Sequence, residues 1–160
     1  METQTKNLSE STTVLGPREA RHDQDLPTTV HPHVLLVEWE IHTRAGQWHS
    51  ACAAAEALIA ALPEEPIGWI HHSFALQQLG HLREARMHLL AAARIFPADW
   101  RIAYNLACYN CQLGDRAGAW NWLDESIRRG DADVIKSLAL NEPSFKPLWE
   151  AARARRSQLN

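Results

Sequence analysis

The sequence lacks several features that mark particular classes of protein. No apolar run is long enough to cross a bilayer, and no apolar segment near the start could serve as a signal peptide. Only three cysteines occur, an odd number, so we expect reduced thiols in a cytoplasmic protein. No glycine-rich phosphate loop is present. These absences argue against membrane-spanning, secreted and nucleotide-binding classes.

Clustered positive charge is also scarce. Sixteen lysines and arginines stand against nineteen aspartates and glutamates, which gives a formal net charge of −3. The only cluster of positive charges is formed by Arg153, Arg155 and Arg156. Because nucleic acids and anionic membranes are bound through basic surfaces, we expect neither of them as a partner.

Residues 1–31 differ in composition from the rest of the chain. They contain no Phe, Trp or Tyr and are rich in Ser, Thr, Gln and charged residues. Such a segment buries too little apolar area to offset the entropy lost on ordering. We therefore interpret it as a flexible arm, with the alternative that it docks on its own domain or on a neighbour.

From His31 onward, the sequence is rich in Ala, Leu and Trp and repeats itself with a fixed period. Gly46, Gly80 and Gly114 are separated by 34 residues each time, and each follows a helical pattern. The same period relates two further sets, which are Ala51, Ala85 and Ala119, and Pro63 and Pro97. A fixed period of this length is typical of an array of structural repeats.

Each predicted unit reads as two amphipathic helices joined at a glycine. The units span residues 32–65, 66–99 and 100–133, followed by a non-repeating segment, 134–160. We expect Gly80 to adopt a left-handed cap, and Asp99 and Asp115 to cap helix N-termini. Each helix pair leaves an apolar stripe that only a neighbouring pair can cover, so the units are expected to stack.

At this point the sequence resembles the tetratricopeptide repeat family. The second unit carries the resemblance through Trp69, Leu76, Gly80, Ala85, Leu89, Ala92 and Pro97, and the third through Leu106, Ala107, Gly114, Ala119 and Leu123. The first unit keeps Gly46, Ala51 and Pro63 but has Trp39 where the family usually has a small residue. The resemblance implies an all-α fold, a right-handed superhelix of helix pairs with a concave groove.

The segment 134–160 is expected to cap this array and to end in a basic tail. It predicts a short helix around Val134 to Leu138, a turn at Asn141 to Pro143, and a last helix from about Ser144. Phe145, Leu148 and Trp149 are expected to point inward from that helix. Helical arrays need such an end unit to hide their last apolar face.

The resemblance implies a function in protein–protein interaction rather than catalysis. In this family, the first helix of each unit lines the groove that binds a peptide or partner protein. The corresponding positions here are His33, Leu36, Glu40, Thr43, Ile67, Ile70, Phe74, Gln77, Arg101, Tyr104, Cys108 and Cys111. We expect these side chains to face solvent in the free protein, and we expect no catalytic residue, metal or cofactor.

A metal or thiol role for Cys108 and Cys111 is the alternative from a different functional class. The register places both cysteines about two turns inside a helix, too far from its N-terminus for the free amides to stabilise a thiolate. Zinc would need two more ligands, for which His71 and His72 are the nearest candidates by register. The other histidines are scattered, and His81 and His88 are expected at exposed positions.

Two narrower roles are also known in the resembled family. Three repeats in a chain of this size resemble the chaperones of type III secretion translocators. Other members hold acidic C-terminal tails through Lys and Asn in the first unit, where this sequence has Leu36 and Glu40. We therefore expect an adapter or scaffold with a different kind of partner. The sequence leaves the oligomeric state open.

Overall fold

Eight α-helices and one short 3₁₀ helix account for most of residues 30–158, the part of the chain that the computed structural model describes. The α-helices are α1 (Pro32–Arg44), α2 (Trp48–Ala61), α3 (Ile67–Gln78), α4 (Leu82–Ile95), α5 (Trp100–Gln112), α6 (Arg116–Arg129), α7 (Ala132–Asn141) and α8 (Lys146–Gln158). The predicted arm lies almost entirely outside these described residues. Within them, no helix combines the length and apolar character needed to cross a bilayer.

The glycines of the 34-residue period end the first helix of each helical hairpin. Gly46, Gly80 and Gly114 have positive φ values of 69°, 83° and 83°. In each turn the amide after the glycine donates a hydrogen bond of 2.9 Å to the carbonyl five residues earlier, as in His81 to Leu76. This is the bonding of a Schellman cap, which requires the left-handed conformation that glycine adopts without strain. The expectation for Gly80 is confirmed.

The predicted aspartate caps are also present. The Asp99 carboxylate accepts hydrogen bonds from the amides of Arg101 and Ile102, at 2.9 and 3.3 Å. The Asp115 carboxylate accepts one from the amide of Gly118 at 2.9 Å. These bonds satisfy amides that lack a partner within the helix, which fixes where α5 and α6 begin.

Small residues on the second helices let neighbouring helices pack closely. Ala85, Ala92 and Ala119 are fully buried, and they surround larger core side chains such as Leu89 and Leu106. At the contact between α2 and α3, an added Cβ at Gly68 would lie 2.8 Å from the backbone nitrogen of Ile59. The repeat pattern therefore specifies where helices end and places small residues at some of their contacts, whereas Gly68 has no counterpart one period away.

The non-repeating segment after α6 packs against the end of the array. Helix α7 is longer at both ends than the sequence predicts, and the 3₁₀ helix (Pro143–Phe145) connects it to α8. Phe145 and Leu148 are fully buried, and the half-buried Trp149 indole donates a hydrogen bond to the Ala139 carbonyl at 3.3 Å. The predicted inward orientation of these three side chains is confirmed.

Replacing Gly80 by valine should lower the free energy of unfolding by more than ~1 kcal/mol, because a β-branched residue is strained at φ = 83°. No atom lies within 4 Å of the position of an added Cβ, so the effect isolates backbone strain from steric clash. Urea denaturation measures it, with Gln78→Val in the same turn as the control. Equal stability of the two variants would contradict the assigned cap.

Candidate binding face

The first helices of the three hairpins lie side by side. The indole of Trp39 on α1 stacks on the imidazole of His71 on α3, with ring centroids 3.7 Å apart. The Gln77 amide on α3 donates a hydrogen bond of 3.1 Å to the Gln112 side chain on α5. The side chains that the sequence assigns to the groove therefore come from three adjoining helices. We call the surface formed by Leu36, Glu40, Ile67, Ile70, Phe74, Gln77, Arg101 and Tyr104 the inner face.

Phe74 is anchored within the fold rather than standing free in solvent. Its ring is half-buried, with its centroid 6.1 Å from that of Trp39 and 6.0 Å from that of Trp48. Such edge and tilted contacts between aromatic rings stabilise packing beyond the area they bury. The expectation that Phe74 faces solvent is therefore only partly correct, and a charged residue there would disturb the first two hairpins.

The C-terminal segment covers the α5 end of the predicted groove. The ring of Phe145 meets Tyr104 edge-on at 5.6 Å, and the Gln112 amide donates a 2.9 Å hydrogen bond to the Ser144 hydroxyl. Cys108 and Cys111 are only 6% and 5% exposed. The expectation that this cysteine pair forms the floor of an open groove is wrong, because the capping segment occupies the space above it.

The environment of the two thiols does not favour reactivity. Burial, assisted by the carboxylate of Glu142, raises the pKa of Cys108 well above its ordinary value. Burial also raises the pKa of Cys111, opposed in part by a hydrogen bond with the Leu148 backbone. A protonated thiol is a poor nucleophile and a poor metal ligand. Residues 30–158 contain no group of three or more His, Cys, Asp or Glu side chains arranged to hold a metal ion.

Two charged groups flank the apolar part of the inner face. The Arg101 guanidinium binds the Asp99 carboxylate through Nη2 at 2.5 Å and Nε at 3.1 Å, which fixes the direction of the arginine. Glu40 pairs with Arg44 at 2.5 Å on the surface of α1. The face therefore carries an apolar centre with an ion pair of α5 and an ion pair of α1 beside it.

The ring of His71, which stacks on Trp39, is neutral. Burial and the nearby Arg101 guanidinium lower the pKa of His71 to about 4. An uncharged imidazole stacks on Trp39 without bringing a second positive charge toward Arg101. The sequence analysis treated Trp39 as a departure from the family pattern and His71 as a candidate zinc ligand. Their contact joins two units and is visible in neither unit alone.

Two further histidines, His72 and His88, lie close together between α3 and α4. The ring of His88 stacks on Trp69 at 4.6 Å and lies 4.5 Å from the ring of His72. His88 is half-buried, so its predicted exposed position is wrong. Burial, together with His72, lowers the pKa of His88 to about 4. His72 Nε2 also lies 3.2 Å from the carboxylate of Glu56 on α2.

Acid should destabilise the fold through His71 and His88. In the folded protein both rings stay neutral to about pH 4, whereas in the unfolded chain they protonate near pH 6.5. The unfolded chain binds more protons between these values, so stability is highest above pH 6.5 and falls as the pH approaches 4. Urea denaturation at pH 7.5, 5.5 and 4.5 should show a smaller loss for His88→Gln than for the unchanged chain. Exposed His49→Gln is the control, and an equal loss in all three proteins would contradict this origin of acid sensitivity.

An apolar cavity outside the inner face was missed by sequence reasoning. It has a volume of about 340 Å³ and lies between α6, α7 and α8. Its walls include Trp120, Ile127, Leu140 and Trp149, with Lys136 as a charged lining residue. Of these residues, the sequence analysis assigned only Trp149 to the packing of the cap, because nothing in the repeat pattern describes the geometry of a non-repeating end.

No protein-family model matches the sequence, and no curated protein matches it significantly. Solved structures do match the fold. The TPR2B domain of yeast Sti1, in its complex with pHsp70, is similar over 77% of this chain and 97% of its own, with 21% identity and a TM-score of 0.63. The type III secretion translocator chaperone SycD of Yersinia enterocolitica covers 77% of this chain and 86% of its own, with 18% identity and a TM-score of 0.55.

PcrH, solved with the chaperone-binding region of PopB, is similar over 77% of this chain and 92% of its own, with 21% identity and a TM-score of 0.55. At these identities the likeness establishes architecture. The described part of the chain has an all-α fold of the tetratricopeptide type.

Proposed function

We propose that this protein is a non-enzymatic adapter that binds a peptide segment of a partner protein on its inner face. One observation carries the proposal: Ile67, Ile70, Phe74 and Tyr104 are all only half-buried and lie on adjoining helices. Apolar side chains that remain partly exposed on a shared surface mark interaction sites, because burying them against a partner removes further apolar area from water.

Similar structures support this mode of binding. The Sti1 domain was solved in complex with pHsp70, and PcrH in complex with the chaperone-binding region of PopB. In the proposal, this chain has three repeats, 32–65, 66–99 and 100–133, closed by 134–160. The inner face then takes an extended or helical segment against its adjoining first helices.

The chemistry of the inner face favours a segment with one or two apolar anchors. Ile70 and the ring of Phe74 offer apolar contacts, whereas Arg101 and Glu40 are already paired with Asp99 and Arg44. An acidic tail fits poorly, because Leu36 and Glu40 supply neither a positive charge nor an amide on the first helix. A largely apolar segment can bind without separating Arg101 from Asp99 or Glu40 from Arg44. No charged group of this face then becomes buried without a partner.

A translocator chaperone is the alternative function, favoured by the likeness to SycD and to PcrH. Such a chaperone binds one class of client, the type III secretion translocators, whereas an adapter joins partners of other classes. The class of the bound partner separates the two functions.

Affinity capture followed by peptide mapping tests the proposal. The chain is used to capture partners from its native lysate, and each partner is then divided into overlapping peptides. A single short segment should bind the isolated chain by titration calorimetry. If binding requires an intact folded partner, or if every partner is acidic and lacks apolar anchors, the proposal fails. Capture of type III secretion translocators alone would favour the chaperone function.

A further inference from the structure

A groove between α6 and α8 lies outside the inner face. It has a volume of about 930 Å³ and is lined by Arg116, Ala117, Trp120, Asn121, Ala151, Ala152, Ala154 and Arg155. The short alanine side chains of α8 leave this space open. Within the part of the chain that the structure describes, no acidic residue lines it. We call this space the end groove, because it lies at the C-terminal end of the array.

The end groove presents two unpaired positive charges. Arg116 and Arg155 are exposed, and neither guanidinium forms an ion pair within residues 30–158. The acidic residues nearest to the groove in sequence have other partners, which are Gly118 for Asp115, Arg128 for Asp124 and Lys146 for Glu150. The groove is therefore locally positive on a chain whose formal net charge is −3.

Trp120 joins the end groove to the apolar cavity between α6, α7 and α8. It lines both spaces, and its ring meets Trp149 edge-on at 5.5 Å. Six residues of α8 separate Trp149 from Arg155. Seven residues of α6 separate the cavity residue Leu123 from Arg116. At ~1.5 Å per residue, both helices place the guanidinium groups about 9–10 Å along the surface from the cavity.

We propose that this surface binds an acidic segment of a second partner protein, with one apolar side chain of that segment in the cavity. Carboxylates complement the guanidinium groups of Arg116 and Arg155, which have no carboxylate of their own chain to pair with. An extended peptide advances by about 3.3 Å per residue, so the apolar residue should lie about three positions from the carboxylates.

The walls of this surface favour a peptide over other anions. Pockets for small molecules enclose most of the ligand surface, whereas the end groove runs between exposed residues of two helices. A nucleic acid needs an extended positive surface, which a chain of net charge −3 with two groove arginines does not offer. Because the inner face fits an acidic tail poorly, the two surfaces select partners of different chemistry.

Titration calorimetry of the full chain with synthetic peptides tests the proposal. The probe has two adjacent glutamates and a leucine three positions away in a background of serine and glycine, and both chain orders are used. One order should bind with a dissociation constant on the order of 100 μM, because exposed ion pairs add little to affinity. Replacing both glutamates by glutamine should weaken binding about fivefold or more. Replacing the leucine by serine should abolish measurable binding.

Matched substitutions in the protein test the surface. Arg116→Glu should weaken peptide binding at least tenfold, because a like-charge contact replaces an ion pair. Arg83→Glu is the control, since Arg83 is exposed in the first turn of α4 and also has no ion pair within residues 30–158. Leu140→Glu at the cavity wall should weaken binding, whereas Leu138→Glu, exposed on the same helix away from the cavity, should not. Circular dichroism melting checks that each variant is folded.

Ile70→Lys on the inner face should leave binding of this peptide unchanged, so this proposal and the proposed function can fail separately. The proposal is overturned if neither chain order binds, if the glutamine peptide binds equally well, or if Arg83→Glu weakens binding as much as Arg116→Glu. Binding that appears only after residues 1–29 are removed would also overturn it, because the arm of the same chain would then be the occupant. Tighter binding of polyuridylate, lost in Arg116→Glu, would identify a nucleic acid instead.

Discussion

Replacing Ile70 by lysine should weaken binding of the mapped partner peptide by ten- to more than a hundredfold. Ile70 is half-buried in the apolar part of the inner face, next to Phe74 on the following turn of α3. Burial of such an anchor against a partner contributes about 1.5–3 kcal/mol, which corresponds to that range of affinity. A lysine ammonium at this position must either lose water on binding or hold the peptide away.

The fold should tolerate Ile70→Lys better than a charge at Phe74. The lysine stem can lie along the apolar surface while its ammonium reaches solvent. Met87→Lys is the matched control, because Met87 is 64% exposed and lies on α4, outside the inner face. Titration calorimetry should give unchanged affinity for this control. Equal weakening by both variants would indicate that added positive charge, rather than the inner face, determines binding.

Replacing Gly68 by valine should destabilise the fold by about 3 kcal/mol or more. Gly68 is buried in α3, where an added Cβ would lie 2.8 Å from the Ile59 nitrogen and 3.1 Å from the Leu58 carbonyl carbon. These are backbone atoms of α2, so relief requires the two helices to separate. Overpacking of this kind opposes folding by about 1–3 kcal/mol even where side chains can adjust.

The higher helix propensity of valine does not outweigh the destabilisation expected for Gly68→Val. A residue other than glycine favours a helix by up to about 1 kcal/mol, which is less than the expected cost of separating α2 from α3. Ala60→Val at an exposed position of α2 is the control, with an expected loss below about 1 kcal/mol. Urea denaturation compares the two. A Gly68→Val variant as stable as the control would contradict the close contact between α2 and α3.

The sequence predicts the helical hairpins well because each boundary depends on local chemistry. Gly80 ends α3 because it can adopt positive φ, and Asp99 begins α5 because its carboxylate binds free amides. The glycine signal recurs with the period of the array. The adjoining first helices follow, since each hairpin must cover the apolar stripe of the next.

Burial at the candidate site was less predictable because it depends on contacts between units. The repeat pattern treats Cys108 as a groove position, but Phe145 and its neighbours come from a segment that follows no period and cover the α5 end. The Trp39–His71 stack likewise joins two units. Such contacts depend on how helices pack in three dimensions, which periodicity does not specify.

Site-specific photo-crosslinking tests most directly whether the inner face is the binding surface. A benzophenone amino acid replaces Gln77 on the inner face, Met87 on α4, or Leu140 beside the apolar cavity, and each protein is irradiated with the captured partner. The proposed function predicts adducts from position 77 and none from positions 87 and 140. Adducts from position 87 or 140 with none from position 77 would contradict it.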